Sequence, residues 1–454
     1  MIFRTRNLVL LTFAVGLALA LSAYSNTAFA GVLSQYTAGM QIKNLDTAND
    51  ATVAISFYKL DGSVEATVNK SITAGSSITL FPLSDVSAGF SGSAVISSDR
   101  QIAAIANVIG DSTQSSSYSG FAAGSNVSSL PLTMKKAFGS DTWFSVQNAG
   151  SAATTVTVEY AGTACTETAT IQPGAAARFD QNTNTCLPDG HINSATVTAA
   201  NTSDRIVTTV IQVAAAGLFA YNGFGSGATS PVMPLVQFNN FGNQTGIQVQ
   251  NTDANNASIV TLSYTPSLFG TACTETKTIA AGASATFGLY PFTGFTDPAP
   301  GTSDCTQGQS FVGSAAVTSN SASTSLVAIV NQTNLTTNGS AYSAFNPAQA
   351  TNTVDLPLMM NAFGFFTGLS LVNVGTEATV TCNFSTANGI TPTSYSETVA
   401  ANGSMAKVQN TADFAGYVGG GTCTASGGGL LIAVVNQLGS GSGDQAMTHE
   451  AFNK

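Results

Sequence analysis

The two histidines are the side chains in this sequence best suited to act as a general base. A neutral imidazole beside a serine hydroxyl can accept its proton and so activate the serine for nucleophilic attack. His191 and His449 are the only histidines of the 454-residue chain, and they fall in different internal repeats. His191 stands where other repeats have Phe90 and Phe311, and His449 stands where another has Tyr118. Each histidine therefore replaces a structural aromatic residue, and we predict no catalytic residue and no enzyme activity.

Patterns that bind metals or cofactors are also missing from the sequence. The segment Asp46-Thr-Ala-Asn-Asp50 could offer oxygen ligands to calcium, but it lacks the central Gly and the terminal Glu of an EF-hand loop. No Cys-x-x-Cys pair occurs and no histidine recurs beside the cysteines, as a zinc site would require. Neither a Gly-x-Ser-x-Gly nor a His-Glu-x-x-His motif is present. We therefore expect no metal and no cofactor.

The six cysteines are distributed in pairs. The first repeat has none and each later repeat has two. One cysteine of the second repeat and one of the third occupy the same place in the identical strings 162–168 and 270–276. The two cysteines of the fourth repeat align with inward-facing strand positions, which predicts a bond inside the core. Disulfides are typical of exported proteins. The predicted bonds are Cys165–Cys186, Cys273–Cys305 and Cys382–Cys423.

The low charge of the chain excludes several partners. It has 13 basic and 23 acidic residues, so that 8% of its residues are charged and the net charge is −10. A soluble globular protein has about 25% charged residues. Nucleic acids and anionic membranes attract basic surfaces, so neither is an expected partner. The apolar fraction of 44% is enough to form a core, which argues against disorder.

Residues 1–30 are typical of a secretory signal peptide. Arg4 and Arg6 form a basic start, residues 8–24 are apolar, and Ala28-Phe29-Ala30 resembles a cleavage site. A transmembrane helix is the alternative interpretation of this segment. No later stretch approaches the ~18 apolar residues of a membrane helix. The sequence therefore predicts a secreted protein, located outside the cell or at its surface, without a transmembrane segment.

Four landmarks recur four times in the same order, which is the signature of a repeat architecture. An Asn corner precedes an alternating strand, an aromatic-x-Gly-Ser-Ala start opens a later strand, an apolar strand ends in an amide, and an aromatic-x-small-Phe element closes the repeat. The predicted domains are residues 31–135, 136–237, 238–360 and 361–454. The corner residues are Asn44, Asn148, Asn251 and Asn373.

Each repeat contains short alternating runs separated by Gly, Asn, Asp and Pro, which predicts seven antiparallel strands in an all-β sandwich. This pattern resembles bacterial secreted and surface proteins built of tandem immunoglobulin-like, or fibronectin type III-like, repeats. The resemblance is one of architecture alone, because the Cys…Trp…Cys spacing of true immunoglobulin domains is absent. It implies four tandem immunoglobulin-like β-sandwich domains after the signal peptide.

The joints between repeats follow one apolar pattern. A Leu-Pro-Leu or Met-Pro-Leu segment leads to a Phe-Gly pair, as in Leu130-Pro131-Leu132 before Phe138-Gly139. Such joints differ from flexible Gly/Ser linkers. We expect the Leu and Phe side chains to be buried between domains and the domains to form an elongated rod. Independently oriented domains are the alternative.

These features together predict a non-catalytic structural or adhesive protein of the cell surface or of an extracellular filament, sheath or surface layer. It would act by self-association, with other cell-surface components as further partners. The alternative is a secreted carbohydrate- or protein-binding accessory module that uses loops at one end of the sandwiches. Trp143, the only tryptophan, is the candidate contact residue for a glycan.

Overall fold

The computed structural model describes residues 36–111, 114–215, 217–321, 324–334, 338–439, 444 and 446–454, together with the backbone of residues 8–11. The proposed cleavage site at residues 28–30 and most of the predicted signal peptide lie outside the described residues. The four repeats appear as four antiparallel β units. Units 1 to 3 each have two sheets, whereas in unit 4 a hairpin at residues 361–366 joins nine strands into one continuous sheet. Within the described ranges, no helix has both the length and the apolar character of a membrane-crossing segment.

In the described residues of units 1 and 2, all the regular elements are strands. The first contains β1 (Leu8–Leu11), β2 (Tyr36–Asn44), β3 (Ala51–Lys59), β4 (Val64–Ile72), β5 (Ser77–Leu80), β6 (Gly92–Ser98), β7 (Ile102–Gly110) and β8 (Gln114–Ser119). The second contains β9 (Val127–Lys135), β10 (Ser140–Asn148), β11 (Thr154–Tyr160), β12 (Thr166–Ile171), β13 (Ala176–Asp180), β14 (His191–Ala199), β15 (Ile206–Ala214) and β16 (Gly217–Asn222).

The other two units add short helices and strands to the same plan. The third contains β17 (Val232–Phe238), β18 (Gln244–Asn251), β19 (Ser258–Phe269), β20 (Cys273–Ile279), β21 (Ser284–Phe287), α1 (Leu289–Thr293), β22 (Thr302–Ser303), β23 (Phe311–Ser319), β24 (Leu326–Thr333), β25 (Gly339–Ser343) and a 3-10 helix (Pro347–Gln349). The fourth contains β26 (Thr353–Ala362), β27 (Phe365–Asn373), β28 (Ala378–Phe384), β29 (Tyr395–Val399), β30 (Ser404–Val408), a 3-10 helix (Ala412–Phe414), β31 (Val418–Ala425), β32 (Leu431–Gly439), β33 (Ala446–Glu450) and β34 (Phe452–Asn453).

Unit 2 shows how the sequence pattern produces the sandwich. Its sheets have the strand orders β12-β11-β14-β9 and β13-β10-β15-β16. Along β11, Val156, Val158 and Tyr160 are buried while the residues between them are more exposed, because successive side chains of a strand point to opposite faces. Residues of the other sheet, such as Phe144 and Val210, meet these side chains in one core.

The Asn corner predicted in each repeat is confirmed. The Asn148 side chain donates to the carbonyl oxygens of Ala152 (2.7 Å) and Ile171 (2.9 Å) and accepts from the Gly150 N–H (2.8 Å). It thus ties a turn to two strands from a buried position, where each polar group needs a partner. The side chains of Asn44, Asn251 and Asn373 make the equivalent bonds.

The Leu-Pro-Leu segments belong to the unit that follows them. Leu130-Pro131-Leu132 lies in β9, which pairs with β14 of unit 2. In the same way β17 pairs with β23 and β26 pairs with β31. We call β9, β17 and β26 the joint strands. Over the described ranges, units 1 and 2 have eight strands and units 3 and 4 have nine, where seven were predicted. Strand pairing also moves the joint strands across the expected boundaries at 135/136, 237/238 and 360/361.

The four units surround a common axis, so the prediction of an elongated rod is wrong. We call one strand of each unit its axial strand: β8, β16, β25 and β33. Each axial strand contacts the next in sequence order, and β33 also contacts β8. Unit 4 thereby touches unit 1 and closes a ring. Apolar contacts hold the ring together. Three cores include a side chain of the next unit, namely Trp143 in unit 1, Ile329 in unit 2 and Val434 in unit 3, and Ile105 of unit 1 clusters with Leu358 and Met360 of unit 4.

The amide that ends each apolar strand lies at a boundary between units. Asn331 donates to Gln212 (2.8 Å), joining units 3 and 2. Gln332 and Asn436 join units 3 and 4 at 3.3 Å. The pair Asn107–Gln437 joins units 1 and 4 at 3.4 Å. At the boundary between units 1 and 2, the strand register puts Val108 and Ile211 where the other boundaries have their amide pairs. Both residues lie in one apolar cluster.

The axial strands run in the same direction, because residues at their beginnings bond to the carboxylate of Asp444 and residues at their ends bond to that of Glu450. Asp444, just before β33, accepts three backbone N–H groups, one from the beginning of each other axial strand. At the other end, Glu450 accepts from the Ser343 N–H (2.7 Å) and from the Ser119 hydroxyl. The three donors to Asp444 are Ser115 (3.1 Å), Leu218 (3.0 Å) and Gly339 (2.9 Å).

The six cysteines form the three expected disulfides. Cys382 and Cys423 are fully buried in the core of unit 4 on directly paired strands. The bond in unit 2 joins two loops, and the bond in unit 3 joins a loop to the first residue of β20; one cysteine of each pair is more exposed. The bonds are Cys165–Cys186, Cys273–Cys305 and Cys382–Cys423. Disulfides of this kind are typical of an oxidising compartment.

Candidate functional site: an apolar face at one end of the ring

Each joint strand is followed by a hairpin turn made of Phe and Gly. Single bridges, Ala137 with Ser140 and Asn240 with Asn243, close two of the turns. The Phe residues have φ angles of 48°, 49° and 55°, and the Gly residues have 72°, 83° and 81°. Two positive φ angles in a two-residue hairpin define a type I′ turn. The three turns are Phe138-Gly139, Phe241-Gly242 and Phe363-Gly364.

Phenylalanine is an unfavourable residue for this position. Type I′ turns prefer Asn as their first central residue, and a bulky side chain at positive φ is a conformational outlier. The left-handed conformation costs an ordinary L-residue about 1 kcal/mol or more. Phe138, Phe241 and Phe363 are also 83%, 95% and 87% exposed, so the prediction that they are buried is wrong. The fold gains little from these side chains, which makes a binding role the better explanation.

The three Phe side chains lie at the same end of the ring. Ser140, which follows the first turn, is paired with Ala214, and Ala214 is paired with Gly217 at the beginning of β16. The second turn is linked in the same way to the beginning of β25, and the third to that of β33. Because the axial strands begin at Asp444, all three Phe side chains surround the axis at the Asp444 end.

Phe81, at 56% exposed, is a further exposed phenylalanine beside Phe363, because both residues line one cavity. Leu430, just before β32, lies at the opposite end, because β32 begins opposite the Asn373 corner. Clustered exposed apolar residues mark interaction sites in soluble proteins. We name this set the phenylalanine face: Phe81, Phe138, Phe241 and Phe363.

A cavity of about 760 Å³ separates units 1 and 4 beside this face. Phe81, Met360, Phe363 and Phe365 are among its mostly apolar lining residues. Gly39 is one of the lining residues and stands at the register position of Trp143 in unit 2, as Gly246 and Gly368 do in units 3 and 4. The boundary between units 1 and 2 is filled by an indole, whereas the boundary between units 4 and 1 is open. This cavity is large enough for an apolar side chain of a partner or a small apolar ligand.

Trp143 fills the boundary between units 1 and 2. Its indole N–H donates to the Tyr36 hydroxyl at 3.2 Å, and the two rings meet edge to face at 5.6 Å. The guanidinium carbon of Arg178 lies 4.3 Å from the centre of the ring. Only 2% of the residue is exposed. A sugar cannot stack on a covered ring, so the prediction that Trp143 contacts a glycan is wrong for this structure.

The two histidines lie apart and in buried surroundings. His191 Nε2 is 3.1 Å from the Thr133 hydroxyl, and its ring meets Tyr160 edge to face at 6.0 Å. His449 is fully buried in unit 4, and neither of its ring nitrogens has a hydrogen-bond partner among the described residues. Burial lowers the pKa of His191 and lowers that of His449 to about 3. Both rings are therefore neutral at physiological pH.

In the acidic turn considered for calcium, the Asp46 carboxylate accepts hydrogen bonds from backbone N–H groups of the same turn. Asp46 accepts from Ala48 (2.8 Å) and Asn49 (3.0 Å), and Asp253 makes equivalent bonds in unit 3. These bonds hold the pKa of Asp46 below its usual value. Among the described residues, one group has the spacing of metal ligands, Cys273, Asp304 and Cys305. Its sulfur atoms are joined in a disulfide, so they are not available as thiolate ligands.

Comparisons with known proteins do not assign the chain to a family. No protein-family model matches it, and no curated protein matches it. Among solved structures, it is similar to the crystal structure of a tetra-tandem repeat in the extending region of a large adhesion protein. That similarity has 15% identity over 91% of this chain and 94% of the other, with a TM-score of 0.10. A score this low carries no argument about function.

Proposed function

We propose that this protein is an exported, non-catalytic structural or adhesive protein that assembles at the cell surface or in an extracellular layer through its phenylalanine face. The observation that carries the proposal is the Phe residue in three type I′ turns. Each is strained and exposed, and each contributes more to a contact with another protein than to the fold. A second copy of the chain is the proposed partner.

The low charge of the chain supports self-association. A net charge of −10 spread over 454 residues produces little repulsion between two copies. Burying one Phe side chain in an interface contributes about 1.5–3 kcal/mol. Three such side chains around one axis can pack against the same three side chains of a second copy. The contact would then be self-complementary, as in symmetric dimers.

A protein-binding accessory module is the second candidate. The cavity between units 1 and 4 favours it, because an apolar side chain of a different protein could enter beside Phe363. This candidate also uses loops at one end of the sandwiches. The burial of Trp143 removes the aromatic platform on which the glycan-binding version depended.

Replacing the three turn residues by the residue that the turn prefers separates binding from folding. We expect the variant Phe138→Asn/Phe241→Asn/Phe363→Asn to be more stable by about 1 kcal/mol per site, because Asn tolerates the left-handed conformation. Its self-association should weaken by well over tenfold, since about 1.4 kcal/mol corresponds to tenfold. Urea unfolding and analytical ultracentrifugation over a wide concentration range measure the two effects.

A matched control is Leu430→Asn, which removes an exposed apolar side chain from the opposite end of the ring. Its association should equal that of the unchanged protein. The proposal fails if the unchanged protein stays monomeric at every concentration, or if the triple variant associates as strongly as the unchanged protein. Capture of a different surface protein by the monomer, lost in the triple variant, would favour the second candidate.

A further inference from the structure

The edge of β6 in unit 1 is occupied differently from the equivalent edges of the other units. In unit 2 the joint strand β9 pairs along β14 from Thr198 to His191. In unit 1 the equivalent place next to β6 is held by β1, the strand from the predicted signal peptide, and this pairing covers only Ala94–Ser97. Removal of the leader would leave the backbone N–H and C=O groups of this edge open for pairing.

The register shows that this short strand takes the place of a joint strand. Leu11 is paired with Ala94, as Leu130 is paired with Ala195. Val9 is paired with Ile96, as Ser128 is paired with Val197. The place next to β6 is therefore built to receive a strand in the register of β9. A full joint strand would be longer than β1 and would also place the Pro and second Leu of the Leu-Pro-Leu motif opposite the beginning of β6.

A buried tyrosine in unit 1 lacks the partner that the equivalent tyrosines have. The Tyr221 hydroxyl donates to the Leu132 carbonyl oxygen (2.5 Å) and accepts from the Leu132 N–H (3.2 Å). Tyr342 makes the same two bonds with Leu235 (2.5 and 3.2 Å). In both cases the partner follows the Pro of a joint strand, where the strand pairing shifts its register.

Tyr118 is the corresponding residue of unit 1. It is 2% exposed, and its hydroxyl has no hydrogen-bond partner among the described residues. A buried hydroxyl without a partner is unfavourable, so the position is prepared for a backbone that β1 does not provide. Register and hydroxyl are independent observations, and both indicate a missing Leu-Pro-Leu strand.

We propose that, once the leader has been removed, the edge of β6 binds an extended Leu-Pro-Leu segment of a second polypeptide in the register of a joint strand. The bound strand completes the sheet by backbone hydrogen bonds, and its residue after Pro bonds the Tyr118 hydroxyl. The three joint strands of a second copy are each paired within their own unit, so the occupant comes from a different protein. This inference rests on the proposed export and gives the assembly a second, directional contact.

The test uses the exported protein, with its N-terminus determined by mass spectrometry, and a synthetic peptide that copies residues 126–136. We expect saturable binding, measured by fluorescence anisotropy, and a higher unfolding midpoint with the peptide present. A peptide carrying Leu130→Asp should not bind, because this side chain is fully buried in β9. Protein that retains the leader should bind at least tenfold more weakly.

Tyr118→Phe and Tyr221→Phe form a matched pair. Tyr118→Phe should weaken peptide binding about tenfold, since two hydrogen bonds are lost, and should leave the unfolding midpoint of the free protein unchanged. Tyr221→Phe should lower the midpoint and leave peptide binding unchanged. The inference is overturned if the leader-free protein does not bind the peptide, if Tyr118→Phe binds it as the unchanged protein does, or if the exported protein retains its leader. Failure of the proposed function is a separate result, because the peptide does not use the three Phe turns.

Discussion

Replacing Asp444 by alanine is expected to destabilise the protein by about 3 kcal/mol or more. The carboxylate accepts backbone N–H groups at 2.9–3.1 Å from three other units. A buried donor left without a partner costs about 1–3 kcal/mol, and water entering the site recovers part of that cost. Asp444 is thus one side chain on which four units depend. Urea unfolding of the variant and the unchanged protein measures the difference.

The cost of Asp444→Ala should depend on pH. Burial raises the pKa of this carboxyl from 3.8 to about 7 despite its N–H donors. The native state therefore binds a proton that the unfolded state has lost between about pH 4 and 7, so this group contributes less stability as pH rises through that interval. From pH 5.5 to 8 the contribution falls by about 2 kcal/mol, at about 1.4 kcal/mol per pH unit below 7.

Comparison with the unchanged protein isolates this effect. The lowered pKa of His449 acts in the opposite direction below pH 6.5, but it is present in both proteins and cancels in their difference. The variant should therefore lose about 2 kcal/mol more at pH 5.5 than at pH 8. Asp85→Ala, at an exposed position, is the control and should change stability little at either pH. An unfolding midpoint equal to that of the unchanged protein at both pH values would contradict the role of Asp444.

Lys43→Met is expected to cost about 3–5 kcal/mol, because it leaves a buried carboxylate without its cation. Lys43 lies in unit 1 and Asp355 in unit 4, with Nζ and Oδ1 2.6 Å apart and both side chains 3% exposed. The ammonium also donates to the Gly421 carbonyl oxygen (2.5 Å) and to the Thr422 hydroxyl (3.0 Å). Burial lowers the pKa of Lys43 in spite of Asp355, so desolvation outweighs their attraction.

The double variant Lys43→Met/Asp355→Leu should regain most of the lost stability, because replacing a whole buried ion pair by apolar residues is often neutral. A double-mutant cycle in urea measures the coupling. Lys407→Met provides the matched control, since Lys407 and Glu397 form a pair of the same length, 2.6 Å, that is 36% and 41% exposed. Exposed pairs contribute about 0–1 kcal/mol. Equal losses in Lys43→Met and Lys407→Met would show that the ring does not depend on the buried pair.

The sequence is informative where a residue acts within its own repeat. Asn148 bonds a turn four residues away and a strand 23 residues away, and copies in four repeats make such a role visible. The cysteine pairs are similar, with separations of 21, 32 and 41 residues. The amides of the apolar strands also recur, but their partners do not follow from the pattern. Asn107 and Gln437 are 330 residues apart, and only the closed ring brings them together.

The exposed turn residues of the phenylalanine face can be recognised in the sequence only if the type of turn is known. Phe-Gly recurs three times where a two-residue hairpin would favour Asn-Gly. Apolar composition alone indicates burial, which is why the joints looked like packed interfaces. Recognising the hairpin requires knowing that β9 belongs with β14, and this pairing follows from the topology rather than from local propensity.

The unlike boundaries give the ring a means of avoiding misassembly during folding. Similar units in one chain are prone to dock on the wrong neighbour. Here three boundaries carry amide pairs, whereas the boundary between units 1 and 2 carries Val108 and Ile211. Were unit 1 to dock as the neighbour of unit 3 in place of unit 2, the half-buried amide of Asn331 would face Val108 and lose its hydrogen bond to Gln212. The arrangement of units around the axis is thus encoded by which boundaries are polar and which is not.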